Sequence, residues 1–162
     1  MNQTNKNTIH SKEFENIENL NFAIVTSEWN FKITDRLTIG LEKELKKNGV
    51  LSKNIDKYSV PGSFELIHAC SSLINNFQYS AIIVVGCIIK GQTPHFSLLS
   101  KTVINEIMQI SVKYSCPIGY GIISCINKKQ AIIRSSGKKN KGAEAAKAAI
   151  SILKNIWLWT PL

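Results

Sequence analysis

The chain has 162 residues, a net charge of +9 and a hydrophobic content of 44%. That length suits one domain with an aliphatic core and leaves little room for a second. The longest apolar run, Ala81 to Ile89, is far short of the roughly 20 residues a membrane-spanning helix needs. The positive charge suits phosphates, nucleic acid or an anionic surface, although lysine is also simply the favoured surface residue here.

Residues 1–20 are polar and lack periodicity and the apolar stretch of a secretory signal. They are expected to form an arm, either disordered or docked on a neighbouring subunit to which it can add a strand, with 21–162 as a single domain and the cytoplasm as its compartment. Phe22 to Thr26 reads as a first strand. Thr34 to Asn48 follows as a helix with Leu37, Leu41 and Leu45 on one face and Gly49 as its stop. Ile55 to Val60 is a second strand and Phe64 to Ile74 a second helix. Ala81 to Gly86 is apolar throughout, as a strand buried on both faces must be. A helix from Phe96 to about Lys113, a strand over Pro117 to Ser124 and two helices, about 129–135 and 142–157, complete the chain. Gly137 breaks the last two helices apart. Strands alternating with helices over short connections predict an α/β domain of three layers, flavodoxin-like, around a four-stranded parallel sheet.

In such a sheet, ligands bind at the carboxyl ends of the strands. The first strand-to-helix junction holds Ser27, Glu28, Trp29 and Asn30. The second reads Val60-Pro61-Gly62-Ser63-Phe64-Glu65, and the third runs from Gly86 to Phe96. In the third, Thr93 suits an N-cap, Pro94 the first helical position and His95 the first turn, where free N–H groups favour an anion. A histidine beside a bound phosphate can carry protons, or it can merely hydrogen-bond near the cap. Trp29 can stack on a flat ring or sit as a rim hydrophobe. Ser63 is a candidate cap. Glu65 either offsets the helix dipole or accepts bonds from ligand hydroxyls. Arg134, near Gly137, either clamps a phosphate or is a solvated helix-end cation. Cys70, Cys87, Cys116 and Cys125 form no C-x-x-C pair and are read as buried free thiols. No metal-ligand spacing, G-x-G-x-x-G or Walker pattern occurs, so no cofactor and no metal are expected.

Taken together, the motifs become specific. Val-Pro-Gly-Ser-Phe-Glu at 60–65, Gly-Cys-Ile-Ile-Lys-Gly-Gln-Thr-Pro-His-Phe at 86–96, Gln130-Ala131 with Arg134, and Asn140-Lys141-Gly142 before Glu144-Ala145-Ala146 stand in this order. The chain resembles the lumazine synthases from about Phe22 to the last helix. The resemblance implies two small-molecule substrates, 5-amino-6-(D-ribitylamino)uracil and 3,4-dihydroxy-2-butanone 4-phosphate. These would join through a Schiff base, with loss of phosphate and water, to give 6,7-dimethyl-8-ribityllumazine. It further implies His95 as the proton carrier and Trp29, beside Asn30, as the plate on the pyrimidine. Ser63, Phe64 and Glu65 would line the pocket, and Cys87, Ile88 and Ile89 would present backbone to the uracil. Gln92, Thr93, Arg134 and Lys141 would meet the phosphate, and Tyr120 would reach an adjacent subunit's site. Members of this family form homo-oligomers, pentamers that in some cases close twelve together into a 60-mer shell. The short segment between the last two helices leans toward the shell.

The chain departs from the family pattern at Ile67, Ser80, Lys90 and Ser124-Cys125, and the segment from Arg134 to Lys141 is one residue shorter than usual. A non-catalytic shell of the same fold, a related riboflavin synthase and a basic nucleic-acid binder are the competing readings. The 86–96 segment speaks against the riboflavin synthase. The lack of a nucleic-acid-binding motif or aromatic platform speaks against the binder. Neither nucleic acid nor a membrane is therefore expected as a partner.

Overall fold

The computed structural model describes residues 17–156. Four strands, β1 (Phe22–Ser27), β2 (Ile55–Val60), β3 (Ala81–Ile89) and β4 (Ile118–Cys125), form a sheet in the order β2-β1-β3-β4. Every pairing is parallel. Five helices connect and follow them: α1 (Phe31–Lys47), α2 (Glu65–Asn76), α3 (His95–Lys113), α4 (Lys128–Arg134) and α5 (Lys141–Ile156). The expected arm lies outside the described residues as far as residue 16. Its last residues form a 3-10 turn from which Ile17 and Leu20 pack against the core. Trp157, the expected end of the last helix, also lies outside the described residues.

The sheet separates two hydrophobic clusters, which makes the three layers. On one face Phe22, Ile24, Ile83 and Val85 meet Leu37, Leu41 and Leu45 of α1 and Ala145, Ala146 and Ala149 of α5. On the other Ala23, Val25, Ile82 and Val84 meet Leu66, Cys70 and Leu73 of α2 and Val103 and Ile107 of α3. The alternation of side chains along each strand assigns neighbours to opposite faces. Because both faces are covered, the central strands carry no polar side chain until Thr26.

Two boundaries near the site differ from the sequence reading. Helix α1 starts at Phe31 rather than Thr34, because Asn30 adopts a left-handed conformation (φ 60°, ψ 39°) that turns the chain straight into the helix. It ends where expected: Gly49, at φ 99°, takes the left-handed position that closes a helix. Strand β3 runs on to Ile89, since β4 continues to pair with it through Ile89↔Cys125.

Helix α5 seats closely because the surfaces beneath it are glycine. A Cβ on Gly119 would lie 2.8 Å from the Ala145 carbonyl oxygen and 3.1 Å from Ile83, and one on Gly142 would collide with the Leu37 carbonyl. Gly119→Ala is therefore expected to push α5 off β4 and destabilise the fold by about 1–3 kcal/mol. The urea midpoint should fall with little change in slope.

Candidate active site

Where β1 stops and β3 continues, the sheet opens. The last pair between them is Thr26↔Val85, so residues 86–89 extend beyond β1 and pair only with β4. The chain leaving β1 turns aside toward β2: Glu28 N–H donates to the Val60 carbonyl at 2.8 Å and Trp29 N–H to the Pro61 carbonyl at 3.2 Å. Asn30 then reaches back, its Nδ2 donating to the Cys87 carbonyl at 2.8 Å. By strand alternation the N–H and C=O of Ile89 face the same way as the Cys87 carbonyl, into the gap that β1 has vacated.

That gap is a hollow of about 510 Å³. Its lining consists of Trp29, Asn30, Gly62, Ser63, Phe64, Glu65, Cys87, Ile88, Ile89, His95 and Leu99. Nine of the residues expected at the site from the sequence are thus brought together. Trp29 and Phe64 stand 73% and 60% exposed, two aromatic faces at the mouth. Gly62 lies between Trp29 and Glu65, since a Cβ there would be 2.9 Å from Glu65 Oε2 and 3.3 Å from Trp29 Cδ1. The Cys87 side chain is buried in the core on the α1 and α5 face, so it is the Cys87 backbone that the hollow meets.

Two capping expectations are corrected. Ser63 does not cap α2: Phe64, in helical conformation, occupies the N-cap position and no side chain bonds there. Ser63 is instead buried against Gly86, where a Cβ would be 2.8 Å from its Oγ. Thr93 does not cap α3 either. Pro94 holds the N-cap position (φ −62°, ψ −9°), and its carbonyl receives Ser97 N–H at 3.1 Å, Leu98 N–H at 3.2 Å and Ser97 Oγ–H at 2.8 Å. The proline ring already fixes the backbone that a capping side chain would have to enforce. The amides of His95 and Phe96 precede these first bonds and point out of the helix start. Ser124 Oγ donates to Ser100 Oγ at 3.0 Å, tying the second turn of α3 to β4.

Leu99 and Gly62 were not singled out from the sequence. Leu99 follows His95 by four residues, the spacing that puts two side chains on one helix face, and that signal was available.

The remaining candidates lie outside the hollow of this chain. Gln92 and Thr93 are exposed in the loop before α3. Tyr120 is half-buried in β4 among the residues packed under α2 and α3, where burial raises its phenol to about 12. Lys141 pairs with Glu144 at 2.6 Å at the start of α5. Arg134 ends α4 near the carboxyl end of β4. Burial raises the Cys125 thiol and the Arg134 charge partly offsets this, and Cys125 is the strand partner of Ile89. Among the described residues no lysine or arginine lines the hollow. Among the described residues no cluster of three His, Cys, Asp or Glu could hold a metal ion, and no helix is long and apolar enough to cross a membrane.

Comparison with known proteins places nearly the whole described region in one family. A family model described as 6,7-dimethyl-8-ribityllumazine synthase matches residues 19–156. The 6,7-dimethyl-8-ribityllumazine synthase of Bacteroides fragilis is 41% identical over 139 residues, covering 85% of this chain and 97% of its own. That of Phocaeicola vulgatus is 40% identical, covering 85% and 83%. That of Cytophaga hutchinsonii is 37% identical over 155 residues, covering 94% and 98%.

Two measurements check the site as a structure. Asn30→Gly keeps the left-handed turn and loses only the amide bridge, whereas Asn30→Ala loses both. The alanine variant should be the less stable by about 1 kcal/mol in thermal melts. Burial, reinforced by mutual repulsion with Cys116 and Cys125 respectively, raises Cys70 and Cys87 to about 12 from 9.0. A raised folded-state value gives stability that is complete below pH 9 and lost as pH climbs from 9 toward 12. Urea midpoints should therefore fall over that window, and less steeply once Cys70 and Cys87 are both replaced by alanine.

Proposed function

Because the chain belongs to the 6,7-dimethyl-8-ribityllumazine synthase family, we propose that it condenses 5-amino-6-(D-ribitylamino)uracil with 3,4-dihydroxy-2-butanone 4-phosphate to give 6,7-dimethyl-8-ribityllumazine, the penultimate step of riboflavin biosynthesis. The observation that carries this reading is the hollow itself, which gathers two aromatic plates, an open strand edge, a carboxylate and a histidine at a helix start.

The roles follow from that arrangement. Trp29 and Phe64 hold the pyrimidine ring, whose edge meets the backbone of Cys87 to Ile89 as a further strand would. Glu65, with Ser63 beneath it, accepts hydrogen bonds from ribityl hydroxyls. The butanone phosphate lies toward the α3 start, near Gln92, Thr93 and the free amides of His95 and Phe96. The ring amine adds to the ketone, the adduct loses water to form the imine, phosphate departs, and ring closure expels a second water. His95 takes the proton the amine must lose and returns it to the departing oxygen.

The enzyme works as a homo-oligomer in the cytoplasm, a pentamer that joins others into a shell. The apolar series Ile104, Met108 and Val112 is exposed along α3 at four-residue spacing, a face that none of the described residues covers and a second copy can. A neighbouring copy would also bring to the hollow a cation and a further aromatic. Arg134, Lys141 and Tyr120 serve it across that contact.

Holding two reactants in register can contribute roughly 7–11 kcal/mol, more than the ~10²–10⁴-fold of a proton carrier. His95→Ala is accordingly expected to slow turnover by about tenfold to a few hundredfold, and Arg134→Ala to be worse. The test mixes protein with both substrates and follows lumazine fluorescence against the uncatalysed background. Acceleration that disappears with the dephosphorylated butanone supports the reading. Well-folded oligomers without acceleration favour a scaffold, and an inactive His95→Ala beside a near-normal Arg134→Ala reverses the ordering.

A further inference from the structure

Arg134 is the last residue of a seven-residue helix and leads into a 3-10 turn rich in lysine. Nothing in its own element fixes where its guanidinium sits. The segment is instead fastened from Asn140, only 6% exposed. Its Nδ2 donates to the Ser135 carbonyl at 2.9 Å and to the Arg36 carbonyl of α1 at 2.8 Å. Its Oδ1 accepts the Ala143 N–H of α5 at 3.1 Å. Its own backbone closes both sides of the join, donating to the Gly137 carbonyl and accepting Glu144 N–H, each at 3.2 Å. One side chain thus ties the end of α4, the middle of α1 and the start of α5 to one another. Gly40 leaves the room for it, since a Cβ at that position would collide with the Asn140 amide.

We infer that Asn140 is a positioning residue for the phosphate-binding cation. By holding the carbonyl of Ser135, it sets the direction in which the adjoining Arg134 leaves α4. The inference rests on the reading of Arg134 given above. An amide is the group this needs, because the site asks for two donors to carbonyls and one acceptor for a helix amide. Serine keeps a capping oxygen but offers one hydroxyl on a shorter side chain in place of the two amide donors. Aspartate keeps the shape and the cap but turns an oxygen toward two carbonyls.

The test compares steady-state kinetics of wild type, Asn140→Ser, Asn140→Asp, Arg134→Ala and the double variant Arg134→Ala/Asn140→Ser, with thermal melting of each. Inorganic phosphate serves as a competitive probe. The expected result is a rise of roughly tenfold in KM for the butanone phosphate with either Asn140 variant. Inhibition by phosphate should weaken in parallel, while KM for the pyrimidine changes little. In the Arg134→Ala background the serine substitution should add nothing to that KM. Unchanged phosphate affinity in both Asn140 variants overturns the inference while leaving Arg134 in its role. So does an equal loss for both substrates, or a serine effect that multiplies fully with Arg134→Ala. A normal phosphate KM in Arg134→Ala removes the role of Arg134 itself, and with it the reason for Asn140 to act. If one Asn140 variant melts below the assay temperature, the other decides.

Discussion

A parallel strand that outlasts its neighbour leaves a row of backbone donors and acceptors with nothing to pair, and burying such groups unpaired is unfavourable. Here the pairing of β1 with β3 ends four residues before β3 does. The structure answers part of that deficit with one amide, Asn30 to the Cys87 carbonyl, and leaves the rest facing a hollow. Everything chemical in the molecule depends on this mismatch in length. If β1 ran further, its backbone would occupy the place of the ligand. The left-handed turn at Asn30 ends β1 and starts α1 in one step, so the same residue both stops the competing strand and braces the edge that is left.

The layers were legible from the sequence because burial on both faces imposes long apolar runs on β3 and a leucine stripe on α1. Nine of the hollow's residues were likewise legible, since they cluster at the three junctions that a parallel sheet gathers on one rim. The caps were not legible. Ser63 and Thr93 are chemically suited to capping, but neighbouring geometry overrides that suitability: Gly86 offers Ser63 a buried seat, and Pro94 fixes its own backbone. The start of α1 was missed because a left-handed asparagine leaves no mark in hydrophobic periodicity. Tyr120, Arg134 and Lys141 came from resemblance rather than from spacing. A single chain gives them other partners or other packing.

The electrostatics are divided in an instructive way. Among the described residues the hollow carries a carboxylate and a histidine but no lysine or arginine, although the chain bears +9. Most of the cations stand on exposed helix surfaces, where single ion pairs such as Lys46–Glu42 contribute little. An anionic substrate is therefore drawn to the molecule by the overall field and held by a few groups at the rim. Asn140 belongs to that division of labour, because a cation at the end of a short helix is only as well aimed as the turn that carries it.

The glycines beneath α5 bear on how the chain comes together in time. Helix α5 follows every strand in the sequence, yet it covers Ile83 of the central strand β3 and Gly119 and Gly121 of the edge strand β4. During synthesis from the amino end, β1, β3 and β4 can associate while the face awaiting α5 is still bare. That face is apolar and, at its glycines, nearly flat. Such a surface on a nascent chain invites contact with other nascent chains, and the polypeptide is protected only when its carboxyl-terminal helix has left the ribosome and docked.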